Sequence, residues 1–352
     1  MRLSITRQDL ARVVGAVGKV VESRNTIPIL SNLLLSAEDG QLQVTGTDLD
    51  IQATASAPAT ITEAGSITVS AKMLGDIARK AGNDIVELSL ADGKLEVKSG
   101  RSKFSLNVLP ASDYPSLSAG TYDAEFEVDL AGLFAPVAFA ISNEEVRYYL
   151  NGIFLHSTEE GAVAVATDGH RLARNTIGSL GEFAGVIVPR KTVSLTPKGT
   201  VTVSVSETKI KIVSPEMTLV SKLIDGTFPD YQRVIPVSNE NVVSVDRDAI
   251  LKASERVSTV SSERGRAVKM SIAPGSIALH VSNPDSGSAD DEIAADYSGE
   301  PIDIGFNSLY VRDVFGTLPS GPVTLALNDG GSPALITGGA EGLTLVLMPM
   351  RV

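Results

Sequence analysis

The sequence predicts an α+β fold built from three copies of one unit, and three observations predict it. Six stretches carry apolar residues at helical spacing, and each is followed by apolar residues at alternating, strand-like spacing. Short turns containing Gly or Pro break the strand runs into hairpins. The order helix, hairpin, helix, hairpin recurs three times, with a period of about 115 residues.

The first unit opens with "TRQDLARVVGAVGKVV" (6–21) and runs into "SNLLLSAEDGQLQVTGTD", with Asp39-Gly40 as its turn. Its second helix is "SAKMLGDIARKAG" (70–82), before "VELSLADGKLEVKSG". The second unit repeats this with "DLAGLFAPVAFAIS" (129–142) before "NGIFLHSTEEGAVAVATD", where Glu160-Gly161 turns the chain. "VPRKTVSLTPKG" (188–199) then precedes "VTVSVSETKIKIVS". Two of these helices carry a proline: Pro136 sits inside one, and Pro197 should end the other early. The third unit has "DRDAILKASERVSTV" (246–260) before "AVKMSIAPGSIALHVSN", turned at Pro274-Gly275, and "NSLYVRDVFGTLPSG" (307–321) before "VTLALNDGGSPALITGG". Runs with Pro and Asp close the first two units, which places three domains at 1–120, 121–240 and 241–352.

Composition narrows the class. Hydrophobic residues make 43% and charged residues 20% of the 352, as expected of a globular chain. There is no cysteine, which excludes disulfides and thiolate metal sites and fits a reducing compartment. No signal peptide is read at the start, and the longest apolar run, 131–141, is too short to span a bilayer. The expectation is a cytoplasmic protein with no membrane partner. The net charge of −12 argues against nucleic acid taken alone. The charge is segregated, however: the six helical stretches sum to about +6, and the remainder to about −18. A basic helical surface is therefore compatible with phosphate backbones. No zinc-finger spacing or RNA-recognition strand is present, so any nucleic-acid binding would ignore base sequence.

One stretch invites chemistry. "VATDGHRLAR" (165–174) sets Asp168, Gly169, His170 and Arg171 side by side. Three readings stand: a hairpin turn, a surface read by a partner, or a hydrolytic acid–base pair of Asp168 and His170. Against the third, there is no G-x-S-x-G elbow and no H-E-x-x-H, and His156, His170 and His280 are scattered. "GAVGKV" (15–20) lacks the full phosphate-loop pattern. A repeat-built scaffold is a further alternative.

"VRYYLNG" (146–152), "ATDGHRLA" (166–173), "VPRK" (188–191), "FPDYQRVIP" (228–236) and "MPMRV" (348–352) together resemble the beta sliding clamps of bacterial DNA polymerase III. "IPILSNLLL" (27–35) and "YSGEPIDIGFNSLYVRDV" (297–314) add to the likeness, and the matches run in order through all three units. The resemblance implies three DNA-clamp domains, each with two helices packed on antiparallel sheets, assembled as a head-to-tail homodimeric ring around double-stranded DNA. It implies a processivity factor without catalytic residues, cofactor or metal. The implied partners are a clamp loader, the catalytic subunit of DNA polymerase III, and other polymerases or repair proteins that carry clamp-binding peptides. Given helices lining a hole, packing about 10 Å apart puts six around an opening near 9 Å and twelve around one near 28 Å. A duplex is roughly 20 Å across, so two chains suffice where one does not.

Carried over position by position, the implied peptide pocket comprises Leu150, Thr167, Gly169, His170, Arg171, Leu172, Pro229, Arg233, Val234, Asn307, Tyr310, Val346, Met348, Pro349, Met350 and Arg351. Leu150, Leu172, Val234 and Val346 suit Leu and Phe anchors, the methionines repack, and Arg171 and Arg351 suit a polar rim. The implied DNA-facing set is Arg24, Lys72, Arg79, Arg147, Tyr148, Tyr149, Arg190 and Lys191. For the ring interface, Phe104 is matched with Val260 of the other chain, and Arg101 and Lys103 with Asp290, Asp291 and Glu292. The chain departs from the pattern at Gly265, where the family often has an aromatic, at Gly331 and Pro333, and in the two proline-interrupted helices.

Overall fold

The computed structural model describes residues 1–22, 26–117, 120–261 and 266–352. Two expectations, Arg24 and Gly265, fall outside them. The first third of the chain forms β1 (Arg2–Thr6), α1 (Arg7–Gly18), β2 (Asn32–Glu38), β3 (Gln41–Thr47), β4 (Ile51–Pro58), β5 (Thr60–Glu63), β6 (Gly65–Ser70), α2 (Ala71–Lys80), β7 (Ile85–Ala91), β8 (Lys94–Ser99) and β9 (Ser102–Leu109). The middle third forms β10 (Ala124–Val128), α3 (Leu130–Phe134), β11 (Gly152–Thr158), β12 (Gly161–Thr167), β13 (Arg171–Ile177), β14 (Val186–Pro189), α4 (Arg190–Leu195), β15 (Val201–Val205), β16 (Lys209–Val213) and β17 (Thr218–Lys222). The last third forms β18 (Asn241–Asp246), α5 (Arg247–Val257), β19 (Ala267–Ala273), β20 (Ser276–Asn283), β21 (Gly287–Asp296), β22 (Ile302–Asn307), α6 (Ser308–Thr317), β23 (Pro322–Leu327), β24 (Ala334–Thr337) and β25 (Leu343–Leu347).

Helices are present at all six expected places, and four of their starts have a common cause. Thr6, Ser70, Asp246 and Asn307 each accept a first-turn N–H, from Asp9, Met73, Ala249 and Leu309 respectively. The expected helix at 129–142 is corrected to Leu130–Phe134 followed by a 3-10 turn at Ala138–Ala140. Pro136 lacks the N–H that would continue the helix, and its ring crowds the preceding turn. The stretch 188–199 is likewise helical only over Arg190–Leu195, stopping short of Pro197.

The chain divides into two compact units. One joins Met1–Leu130 with Ser194–Leu223, the other Ala131–Val193 with Ile224–Val352, so the middle third contributes to both. In the first unit the strand order is β10-β15-β16-β17-β4-β3-β2-β6-β9-β8-β7-β1-β5. In the second it is β14-β11-β12-β13-β25-β24-β23-β18-β21-β20-β19-β22. The same two four-strand blocks recur in every third: β6-β2-β3-β4, β14-β11-β12-β13 and β22-β19-β20-β21, then β1-β7-β8-β9, β10-β15-β16-β17 and β18-β23-β24-β25. The repetition seen in the sequence is thus a repetition of topology.

Antiparallel pairing also joins one third to the next at a corresponding place. β4 pairs with β17, from Thr54↔Thr218 to Ile51↔Ser221. β13 pairs with β25, from Arg171↔Leu347 to Asn175↔Leu343. Apolar helix faces close the cores: Leu10, Val13, Val14 and Val17 of α1, and Val311, Val314 and Phe315 of α6, are buried. Gly46 lets α1 approach the sheet, since a Cβ there would lie 2.8 Å from Val17 Cγ1.

Candidate functional site

The stretch Thr167–Arg171 is a hydrogen-bonded turn between β12 and β13. Thr167 Oγ1 donates to Arg171 O (2.7 Å) and accepts from Gly169 N–H (3.1 Å). Asp168 Oδ1 accepts from the N–H groups of His170 (2.9 Å) and Arg171 (3.0 Å). Gly169 takes φ +88°, a conformation that suits glycine. The first third contains the same turn. Thr47 bonds Ile51 O and Leu49 N–H, Asp48 bonds the N–H groups of Asp50 and Ile51, and Leu49 adopts φ +81°. Thr-Asp is therefore a turn device of the repeat, which overturns the Asp168–His170 acid–base reading. The Asp168 carboxylate is engaged by two backbone amides and by Arg171 Nε (3.1 Å).

Arg171 lines the cavity beside this turn and also ties the fold together internally. Its side chain is only 11% exposed. Nη1 donates to Asp313 Oδ2 (2.6 Å) and Nη2 to Phe139 O (2.9 Å). Its guanidinium lies 4.5 Å from the Tyr310 ring centre and 5.2 Å from that of Phe139. His170 is exposed, with its ring stacked 6.0 Å from Tyr310, and its carbonyl accepts Met348 N–H (2.9 Å).

Beside this turn lies a cavity of about 300 Å³. Nine of the expected pocket residues line it: Leu150, Thr167, Gly169, Arg171, Leu172, Pro229, Val234, Val346 and Met348. The β13·β25 ladder sets Leu172 directly opposite Val346. A buried cluster of Leu150, Val163, Val165, Leu172, Ile187, Phe228, Tyr231 and Val346 forms the floor. Val234 (51% exposed) and Met348 (39%) leave apolar surface at the mouth. The lining is mainly apolar, with Arg147, Arg171 and Asp230 as its charged members.

The other expected pocket residues do not line the cavity. Arg233 pairs with Asp230 (2.7 Å), and Asn307 caps α6. Met350 donates its N–H to Gly305 O, with Pro349 and Arg351 beside it in the chain. Four lining residues were not among the expected pocket set: Asp230, Tyr231, Arg147 and Tyr149. Asp230 and Tyr231 stand inside the quoted "FPDYQRVIP" run and were legible there. Arg147 and Tyr149 belong to the expected DNA-facing set. Arg147 grips Glu144 with two nitrogens (2.9 and 2.8 Å) and donates to Asp168 O (3.1 Å), which anchors it to the turn. Tyr231 extends the floor into an aromatic stack. Phe154 lies 5.0 Å from Phe228 and 4.6 Å from His156, whose Nε2 is 3.1 Å from Tyr231 Oη. Burial holds the His156 pKa below its usual value.

The remaining expectations divide by environment. Lys72 and Arg79 are exposed on α2, and Tyr148 is 53% exposed. Arg190 is committed inside the fold, donating through Nη2 to Ile141 O (2.7 Å) and Ser142 O (2.8 Å), and burial lowers its pKa. Lys191 follows it on α4. Phe104 is 38% exposed on β9, as is Lys103, which pairs with Glu96 (2.8 Å), and Arg101 is exposed in the turn just before the strand. Val260 is half-buried at the end of a 3-10 turn after α5. On β21, Asp290 meets His280 and Asp291 meets Arg256, while Glu292 is exposed.

Comparison with known proteins agrees with this architecture. Residues 1–118, 127–230 and 232–351 match the family profiles of the N-terminal, central and C-terminal domains of the DNA polymerase III beta subunit. The chain is 43% identical to the beta sliding clamp of Caulobacter vibrioides and 38% identical to that of Pseudomonas putida, with all of each chain covered. The solved structure of a DnaN sliding clamp from Bartonella birtlesii, bound to griselimycin, superposes over the whole of both chains with a TM-score of 0.96 at 43% identity.

Proposed function

The chain belongs to the beta sliding clamp family, the beta subunits of DNA polymerase III, and on that footing we propose how its geometry serves replication. It is a processivity factor and not an enzyme. We place it in the cytoplasm, as three domains at 1–120, 121–240 and 241–352 that form a head-to-tail homodimeric ring around duplex DNA.

One observation carries the ring. β4 pairs with β17 and β13 pairs with β25, so each third lends a strand edge to the next. The corresponding strands left over are β21 and β9. Among the described residues, apart from β20, β21 meets only β18, at residues 295 and 296. Among the same residues, apart from β8, β9 meets only β6, at residues 108 and 109. Most of each edge is therefore open to another chain. Repeating the internal rule sets β21 of one protomer against β9 of its partner, and two such contacts close a ring. The charges agree, since Arg101 and Lys103 precede Phe104, whereas β21 carries Asp290, Asp291 and Glu292. Each exposed ion pair adds less than about 1 kcal/mol, so strand pairing and Phe104 against Val260 supply most of the affinity.

Inside the ring, Lys72, Arg79, Lys191 and Tyr148 attend the phosphate backbone without reading bases. Retention is topological, so binding stays weak enough for sliding. The cavity beside the Thr167–Arg171 turn takes the Leu and Phe of peptides of the Gln-Leu-x-Leu-Phe type. Through it the ring holds the polymerase catalytic subunit, other polymerases, repair proteins and the clamp loader. The test is loading onto nicked circular DNA followed by linearisation. Retention on the circle and loss from cut ends supports enclosure, whereas equal loss from both refutes it.

A further inference from the structure

We propose that the peptide cavity continues as an apolar track across the sheet, and that the track takes the residues flanking a bound peptide's Leu-Phe anchors. The inference rests on the pocket reading above. Strand pairing sets one row of residues directly opposite one another across the neighbouring strands β13-β25-β24-β23-β18. Leu172 faces Val346, Val346 faces Leu335, Leu335 faces Ala326, and Ala326 faces Val242. Residues opposed in an antiparallel ladder share a face, so these side chains project from one side of the sheet. Every one is apolar. The row starts in the cavity with Leu172 and Val346, both 2% exposed, and ends at Val242, 55% exposed. Leu335 and Ala326 between them are half-buried, and Leu335 packs against the cluster under the cavity.

The row lies on the face turned away from the core. The next residue along each strand points the other way, and Ala173, Leu345, Ile336, Leu325 and Val243 are buried to 1% exposure or less. A sheet face turned to water is ordinarily polar. The row two residues along obeys this: Arg174 faces Thr344, Thr337 faces Thr324, and Thr324 faces Ser244. On the other border, Ile235 packs against the same cluster, and Asn239 Nδ2 donates to Ala326 O (2.8 Å) and Pro333 O (2.9 Å). The track is thus an apolar strip between a polar row and the segment 235–240. Its continuity with the cavity, through Val346, selects the occupant: the same chain that fills the cavity. Three strand steps of about 4.8 Å carry Val346 to Val242, about 14 Å, and an extended chain advances about 3.4 Å per residue. An aliphatic side chain about four residues from the anchors therefore reaches Val242.

Fluorescence anisotropy with the full-length protein tests this. The anchor peptide is Gln-Leu-Ser-Leu-Phe. Extended peptides add a five-residue Gly-Ser flank at either end, with Leu or Ser at the fourth position from the anchor. One of the two leucine flanks should bind about three- to tenfold tighter than its serine counterpart, the contribution of one aliphatic side chain on half-buried surface. Val242→Asp should abolish that gain. Val242→Thr keeps the branched, strand-forming shape and should reduce the gain, and neither variant should change affinity for the anchor peptide. Equal binding of leucine and serine flanks at both ends overturns the track alone, as does a gain that survives both variants. An anchor peptide that fails to bind the wild-type protein overturns the pocket reading, and the track with it.

Discussion

Replacing Arg171 by Met keeps most of the side chain's apolar stem and removes its charge. The guanidinium holds Asp168 at 3.1 Å, Asp313 at 2.6 Å and Phe139 O at 2.9 Å. Breaking a fully buried ion pair costs about 3–5 kcal/mol. Here the carboxylates are 15% and 34% exposed, so water partly replaces the lost partner. The expected loss falls to about 2–3 kcal/mol after that discount. For a body of 150–250 residues this lowers the melting temperature by roughly 4–12 °C. Thermal unfolding followed by circular dichroism reads it, together with peptide affinity measured well below the melting point. A melting temperature within a degree of wild type, with a collapse in peptide affinity, would show that Arg171 faces the ligand and not the fold.

Gly169→Ala forces a left-handed residue and brings a Cβ to within 2.6 Å of Arg147 Nη1, so it should cost about 1–2 kcal/mol and weaken peptide binding, read by calorimetry. Met348→Ala and Val234→Ala each remove apolar surface at the cavity mouth, so each should cut affinity for a Leu-Phe peptide severalfold without shifting the melting temperature. Burial depresses the His156 pKa, so the folded state disfavours the protonated ring. Stability should hold above about pH 6.5 and decline as pH falls below it, and His156→Gln should flatten that decline in melting curves taken from pH 8 to pH 5. Phe104→Asp should shift the sedimentation of the protein from dimer towards monomer at micromolar concentration.

The helices and hairpins were legible because their signals are local. The caps Thr6, Ser70, Asp246 and Asn307 precede apolar runs, and Asp39-Gly40 marks its own turn. The three-fold repeat was legible for the same reason. That β4 joins β17, and β13 joins β25, was not, because antiparallel pairing between strands far apart in sequence leaves no local trace. The cavity was legible mainly through family likeness. Its apolar members Leu150, Leu172 and Val346 line it as expected. The internal partners of the charged residues were not legible: Arg171, Arg147 and Arg190 read as ligand-facing, and each is also tied to carbonyls or carboxylates within the fold. Sequence gives a charge's position but not its partner.

The central claim is that β21 of one protomer meets β9 of the next and closes a ring. The chain contains no cysteine, so two introduced thiols report on this contact alone. Ser105→Cys on β9 and Ala289→Cys on β21 should be joined by a flexible thiol crosslinker into a species twice the mass of the 36.8 kDa chain. Loaded first onto a closed circular DNA, that species should stay threaded through denaturation and come free when the circle is cut. Crosslinks confined to single chains, or equal release from closed and cut circles, would contradict it.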